Sequence, residues 1–151
     1  MATAISAEIK EASKLTSEEW KEWTKTVWSI ANVSDNIHPA VYPPEIPYRL
    51  IRMFSFVGEV VLDPFSGMAT TGKVALQTGR SYLGFETNFV YYKEAISRLH
   101  EVAVDNNLAE GQYRIVNSSS CNMTQIQDES VGIVVTSPPY WNKADYGEYE
   151  G

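Results

Sequence analysis

Apolar positions fall at helical spacing early in the chain and settle into strand–helix alternation later. Thr16-Ser17-Glu18-Glu19 reads as a capping box, with Thr16 as N-cap and Glu19 three residues on. Trp20, Trp23, Val27 and Ile30 or Ala31 follow at helical spacing, so this helix carries one heavy apolar face. Docking of that face on the core is the plain expectation. A partner interface is the alternative, because Trp is over-used there. Residues 1–15 are polar and alanine-rich. They read as a flexible tail or weak helix ahead of one domain at 16–151.

The stretch His38-Pro39-Ala40-Val41-Tyr42-Pro43-Pro44-Glu45-Ile46-Pro47 is studded with prolines and predicts an extended loop. Tyr48–Phe56 then has the spacing of a short helix, stopped near Gly58. Beyond it the pattern alternates. Strands are expected at Glu59–Leu62, Tyr82–Phe85, Tyr113–Val116 and Gly132–Thr136, and helices at Thr70–Thr78 and Val90–Val104. Such alternation predicts an α/β fold, a mostly parallel sheet with helices on both faces.

Composition narrows the picture. At 151 residues, 44% hydrophobic and 12% aromatic, the chain holds enough apolar material for one domain with a real core, which excludes intrinsic disorder. No apolar run approaches the ~20 residues of a membrane span, and the charged start is unlike a signal peptide, so a cytoplasmic protein is expected. The single cysteine, Cys121, excludes an internal disulfide and a multi-cysteine metal site. A net charge of −7 predicts that the chain by itself holds nucleic acid poorly.

The run Val60-Val61-Leu62-Asp63-Pro64-Phe65-Ser66-Gly67-Met68-Ala69-Thr70-Thr71-Gly72 is a strand, a tight turn and a helix start. Gly67 lets the backbone approach a ligand closely, and Asp63 sets a carboxylate at the strand end, suited to a cationic group. Glu86 follows the next strand, about 20 residues on, where nucleoside-binding α/β folds place the acid that grips ribose hydroxyls. A generic strand–turn–helix with incidental acids is the plainer alternative, and the register of Asp63 with Glu86 outweighs it. A phosphate loop fails, because no Gly-Lys-Ser/Thr run is present and Asp63 would repel phosphate.

After the fourth strand stands Thr136-Ser137-Pro138-Pro139-Tyr140-Trp141. Two prolines fix the backbone and remove two N–H donors, which leaves carbonyls free to accept. Ser137 adds a side-chain oxygen and Tyr140 a flat face. Acceptors beside a stacking surface suit an exocyclic amine on a planar base. A proline turn capped by an aromatic is the bland alternative.

With these residues together, the chain resembles the DNA amino-methyltransferases, which use S-adenosylmethionine to methylate cytosine N4 or adenine N6. LDPFSG resembles their cofactor motif, GFE their ribose-binding acid and TSPPYW their catalytic motif. HPAVYPPEIPYRLI resembles the proline-rich element that packs over the cofactor's methionine end. The resemblance runs from about Trp20 to Gly147 and implies a Rossmann-like methyltransferase fold. It implies a cofactor site at His38, Pro39, Ala40, Asp63, Pro64, Phe65, Ser66, Gly67, Thr70, Thr71, Glu86, Ser120 and Cys121. Catalysis falls to Ser137, Pro138, Pro139 and Tyr140. Three features depart from the family. Gly67-Met68-Ala69 stands where Gly-Ser-Gly is usual, Ser118-Ser119-Ser120-Cys121 stands where an acid often follows the third strand, and the cofactor half leads the catalytic motif.

The reaction so implied flips the target base onto Tyr140, with Ser137 and the Pro138 carbonyl accepting from its amine. No covalent intermediate is needed, so Cys121 lines the adenine pocket or is merely small and buried. His38 is structural or a contact of the cofactor loop, and His100 a helix-surface residue. Ser before Pro-Pro resembles the cytosine-N4 enzymes. Adenine N6, a non-catalytic cofactor-binding subunit, and an RNA or protein amino-methyltransferase are the alternatives. The resemblance places the strand ending at Thr136 beside the glycine-loop strand, and the family's later strands and target-recognition region are not in the chain. A basic second polypeptide supplying these and the DNA contacts is therefore expected, with a homodimer as the fallback.

Overall fold

A computed structural model describes residues 5–31 and 42–139. His38, Pro39, Ala40 and Tyr140 lie outside these residues. Two short helices come first, α1 (Ala7–Ala12) and α2 (Ser17–Trp23). The segment read as a tail or weak helix thus carries α1, capped by Ser6 and burying no residue. The capping box of α2 is present in both directions. Its helix, however, ends at Trp23, well short of the Ile30 or Ala31 expected. Thr24 Oγ1 donates to Trp20 O at 2.7 Å, and Trp28 Nε1 donates to Trp23 O at 2.9 Å. Side chains thus take up the terminal carbonyls that a further turn would have used. Trp23 is buried, whereas Trp20 and Val27 are 53% and 77% exposed, so only part of the expected face docks on the core.

Helix α3 (Glu45–Phe54) starts within the proline-rich stretch, which corrects the extended-loop reading there. Pro44 is the N-cap and Pro47 lies in the first turn, where backbone N–H groups have no intrahelical partner and a proline removes nothing. Four strands follow, β1 (Val60–Asp63), β2 (Ser81–Phe85), β3 (Tyr113–Val116) and β4 (Ile133–Val134), with α4 (Thr70–Gln77) and α5 (Phe89–Asp105) as the crossovers. All pairings are parallel, in the order β3-β2-β1-β4. The strand leading to Thr136 therefore does lie beside the glycine-loop strand. It is shorter than expected, although Gly132 N and Val135 N still donate to Val60 O and Leu62 O.

Register explains the core. Ile133, Val61, Tyr82 and Tyr113 form one row across the sheet; Val61 and Tyr82 belong to the buried apolar cluster shared with α4 and α5, and Ile133 and Tyr113 pack against it. On α5, Ala95, Leu99 and Val102 recur at helical spacing and are buried. The neighbouring row, Val134, Leu62, Leu83 and Arg114, points to the other face by the two-residue period of strands. Helix α4 packs on β1 and β2, α5 packs on β3, and α3 and α5 both flank α4. Two right-handed crossovers stepping the same way along a sheet put their helices on one side. The fold is thus α/β and Rossmann-like, a parallel sheet with the crossover helices α4 and α5 on one face. Among the described residues, no helix is long and apolar enough to cross a membrane.

Candidate functional site

Parallel pairing brings the carboxyl ends of all four strands to one rim, where open α/β sheets bind ligands. The sequence-selected segments follow those ends: Asp63 to Thr71 after β1, Glu86 after β2, Ser120 and Cys121 in the loop beyond β3, and Ser137 to Pro139 after β4. The turn after β1 is tight because two of its residues are left-handed, Gly67 at φ 52° and Ala69 at φ 60°. Gly67 carries this conformation without cost. Ala69 stands where the family's second loop glycine is usual, takes the same conformation as N-cap of α4, and is fully buried.

Glu86 ties this loop to the next strand. Its Oε2 accepts from Gly67 N and its Oε1 from Asn88 N, each at 2.8 Å. Burial raises the Glu86 carboxyl above its ordinary value, against the N–H donors of Asn88, Gly67 and Thr87. Asn117 Nδ2 donates to Glu86 O at 2.8 Å and holds the backbone there.

Asp63 is 1% exposed. Its Oδ1 accepts from Thr136 Oγ1 at 2.6 Å and from Phe65 N at 3.1 Å, and the nearby Thr71 side chain favours the charged form of the carboxyl. Burial is the main cause that lifts its carboxyl above the usual range, and the Glu86 charge adds to it. Among the described residues no lysine or arginine pairs with Asp63 or Glu86. A buried and a half-buried carboxylate without a cation partner at a strand rim make this rim a candidate functional site.

Pro64 and Thr70 are half-buried, Thr71 is buried and Phe65 is 45% exposed, open at the rim. Ser66 is buried: its N–H donates to Phe85 O and its Oγ accepts from Tyr82 OH, both at 2.8 Å. Ser137 is half-buried, and Pro138 and Pro139 are exposed. Ser120 is half-buried and Cys121 is exposed, which corrects the reading of Cys121 as small and buried: it sits in the loop beyond β3, outside the packed layer. His100 is exposed on α5, as expected.

Residues that sequence reasoning passed over complete the site. The Tyr42 hydroxyl meets Thr71 Oγ1, and burial with the Asp63 charge raises its phenol well above the ordinary value. Gly84 leaves room under the loop, since a Cβ there would lie 2.6 Å from Tyr82 OH and 2.9 Å from Ser66 Oγ. Its place in Gly84-Phe85-Glu86, beside the acid, was the available signal.

A model of the N6/N4 DNA methylases matches residues 2–97. The chain belongs to the DNA methylase family. Within that family it is 42% identical over 84 residues to Type II methyltransferase M.MjaI of Methanocaldococcus jannaschii, covering 52% of this chain and 27% of that one. It is 31% identical over 109 residues to Type II methyltransferase M.BglI of Bacillus subtilis, covering 71% of this chain and 31% of that one. The structure is similar to that of TTHA0409, a proposed DNA modification methylase of Thermus thermophilus, in complex with S-adenosyl-L-methionine. The TM-score is 0.57 and the identity 33%, over 77% of this chain and 43% of that one. This methylase chain thus spans about a third or less of these two curated relatives and under half of the solved one.

Proposed function

We propose that the chain is the cofactor-binding and catalytic-motif region of a DNA methyltransferase acting on the exocyclic amine of a flipped base, with cytosine N4 as the target. S-adenosylmethionine, when bound, supplies an electrophilic methyl group. The donor set fits that molecule: Asp63 offers a buried anion without a cation partner for its ammonium group, and Glu86 offers acceptors for its ribose hydroxyls. Pro64, Phe65, Ser66, Gly67, Thr70 and Thr71 form the loop that would wrap it. Ser120 and Cys121 would face its adenine, and His38, Pro39 and Ala40 its methionine end.

On the base side, Ser137 Oγ and the Pro138 carbonyl accept from the target amine and turn its lone pair toward the transferred group. Pro139 keeps the turn rigid and Tyr140 stacks on the flipped base. The nitrogen needs positioning rather than a covalent nucleophile. The observation that supports this reading is the Asp63–Thr136 hydrogen bond, which ties the residue before Ser137 to the strand end before the glycine loop.

DNA is the proposed substrate, but 12 basic against 19 acidic side chains give the chain little phosphate affinity of its own. A basic partner, or a second copy, covering β4 would complete the unit. Titration of S-adenosylmethionine into the chain, with a methylation assay alone and with its neighbouring gene product, tests the proposal. Binding and N4-methylcytosine on mass spectrometry are expected. N6-methyladenine as product would overturn the choice of base, and absence of binding would overturn the reading.

A further inference from the structure

We propose that Thr136 is a positioning residue whose hydroxyl couples cofactor capture to the base-binding turn. The inference rests on the methyltransferase reading and goes beyond it by assigning a role to Thr136, which that reading leaves without one. Strand β4 is two residues long, and Val135 N to Leu62 O, at 3.0 Å, is its last backbone tether among the described residues. Beyond it, Pro138 and Pro139 have no N–H to donate. A side-chain bond at the strand end therefore adds to the anchoring of the turn. Thr136 supplies it through the 2.6 Å bond from its Oγ1 to Asp63 Oδ1.

The nearby Thr71 side chain also favours the ionised carboxyl, and its hydroxyl meets Tyr42 OH. Residues from the proline-rich segment, the glycine-loop helix, β1 and the catalytic turn thus converge on one buried acid. A cation arriving at Asp63 favours its ionised form, the form that accepts from Thr136, and the Thr136 bond favours that same form for receiving the cation. Charge-assisted bonds in a buried setting are the strong ones, so this exchange has energetic weight. The charged or titratable groups that act on Asp63 are Glu86, Tyr42 and Tyr82. Burial keeps both phenols neutral at any ordinary pH, so only Glu86 and Asp63 titrate in the acid range.

The test uses the full chain, its Thr136→Ser, Thr136→Cys and Thr136→Val variants, and S-adenosylmethionine as titrant between about pH 5 and 7, where the ligand's amino group stays charged. Affinity falls as Asp63 gains its proton. Removing the Thr136 donor raises the Asp63 carboxyl further, so the acid fall moves to higher pH. Thr136→Ser should follow wild type, Thr136→Cys should lie between, and Thr136→Val should bind about tenfold more weakly at pH 6. If Thr136→Val does not fold, the order of Ser and Cys carries the test. Loss of thermal stability with an unmoved acid limb is what a purely structural residue would give, and overturns the inference while the cofactor reading stands. Wild type without affinity for S-adenosylmethionine overturns both.

Discussion

Gly67 donates its backbone N–H to Glu86 Oε2 at 2.8 Å, so the acid after β2 closes the turn after β1. One carboxylate thereby serves the shape of the loop, and its partner oxygen caps the approach to α5 through Asn88 N. The loop and the ribose acid of the proposed site are mechanically one unit. A ligand held by Glu86 is held by the turn as well.

Glu86→Gln is therefore not a silent replacement. An amide has one acceptor oxygen, so one of the Gly67 and Asn88 N–H groups would face an NH2. A stability loss of about 1–3 kcal/mol is expected from the orphaned donor. Affinity for S-adenosylmethionine should fall at least tenfold. Urea unfolding and calorimetric titration of the same sample check both numbers; an unchanged unfolding midpoint would remove the loop-closing role.

Asp63→Asn should separate function from stability. Burial raises the Asp63 carboxyl in the folded protein, so this group favours folding most below its unfolded pKa. Its contribution declines as pH rises from there to the folded value, and at neutral pH the buried charge opposes folding. Asparagine keeps an acceptor for Thr136 and Phe65 while removing that charge. The melting temperature at pH 7 should stay level or rise by a few degrees, at ~2–4 °C per kcal/mol for a chain of this size. Cofactor affinity should drop at least tenfold. Scanning calorimetry and titration would expose the opposite pattern, a lower melting temperature with unchanged affinity.

Much of this was legible from residue patterns, and the misses have physical causes. Strand β3 at Tyr113–Val116 matches its prediction, and β1, β2, α4 and α5 differ from theirs by one residue at the ends, because β-branched runs and buried spacing leave little choice. Helix α2 was over-extended since spacing continues past Trp23, while the caps at Thr24 and Trp28 that end it depend on side-chain geometry. The start of α3 was missed because proline argues against helix interiors but not against a first turn. In the site, Asp63, Gly67 and Glu86 are each marked by position after a strand. Thr136, Tyr42 and Tyr82 are not, since hydroxyl partners distant in sequence leave no local trace.

Ala69 offers a check on the loop's departure from the family pattern. It is fully buried with φ 60°, a conformation unfavourable for residues with a Cβ. Ala69→Val adds a branched side chain where both backbone and space resist it, and should cost about 2–4 kcal/mol. Ala69→Gly trades relief of strain against chain entropy and a lost methyl group, and should stay within about 1 kcal/mol of wild type. Denaturant midpoints for the pair decide it; a tolerated valine would mean that the turn is not held as described.

Ser137 is half-buried and follows directly on Thr136, which is bonded to Asp63. Ser137→Ala should leave the melting temperature and S-adenosylmethionine affinity unchanged and reduce methyl transfer to DNA by about 10- to 100-fold, the scale of one lost hydrogen bond to the reacting group. Single-turnover assays on the complete enzyme read the chemical step. Weakened cofactor binding in this variant would place Ser137 on the other side of the site.

The final prediction concerns the face that β4 presents. Val134 is 54% exposed, in the row that turns away from the helices, and β4 has no second strand neighbour among the described residues. A strand with an open edge and an apolar side chain on its free face is a site for pairing, and proteins usually cover or charge such edges. The full chain on its own should self-associate as concentration rises. Val134→Lys should shift it toward monomer by placing a charge on that edge, with S-adenosylmethionine affinity retained because residue 134 precedes the rim segment. A basic partner that covers β4 should likewise disperse the assemblies and, by its charge, confer the DNA affinity that a net charge of −7 denies. Light scattering over a concentration series, with and without the neighbouring gene product, measures each effect. A chain that is monodisperse at every concentration, and that methylates DNA unaided, would show that β4 needs no cover from outside.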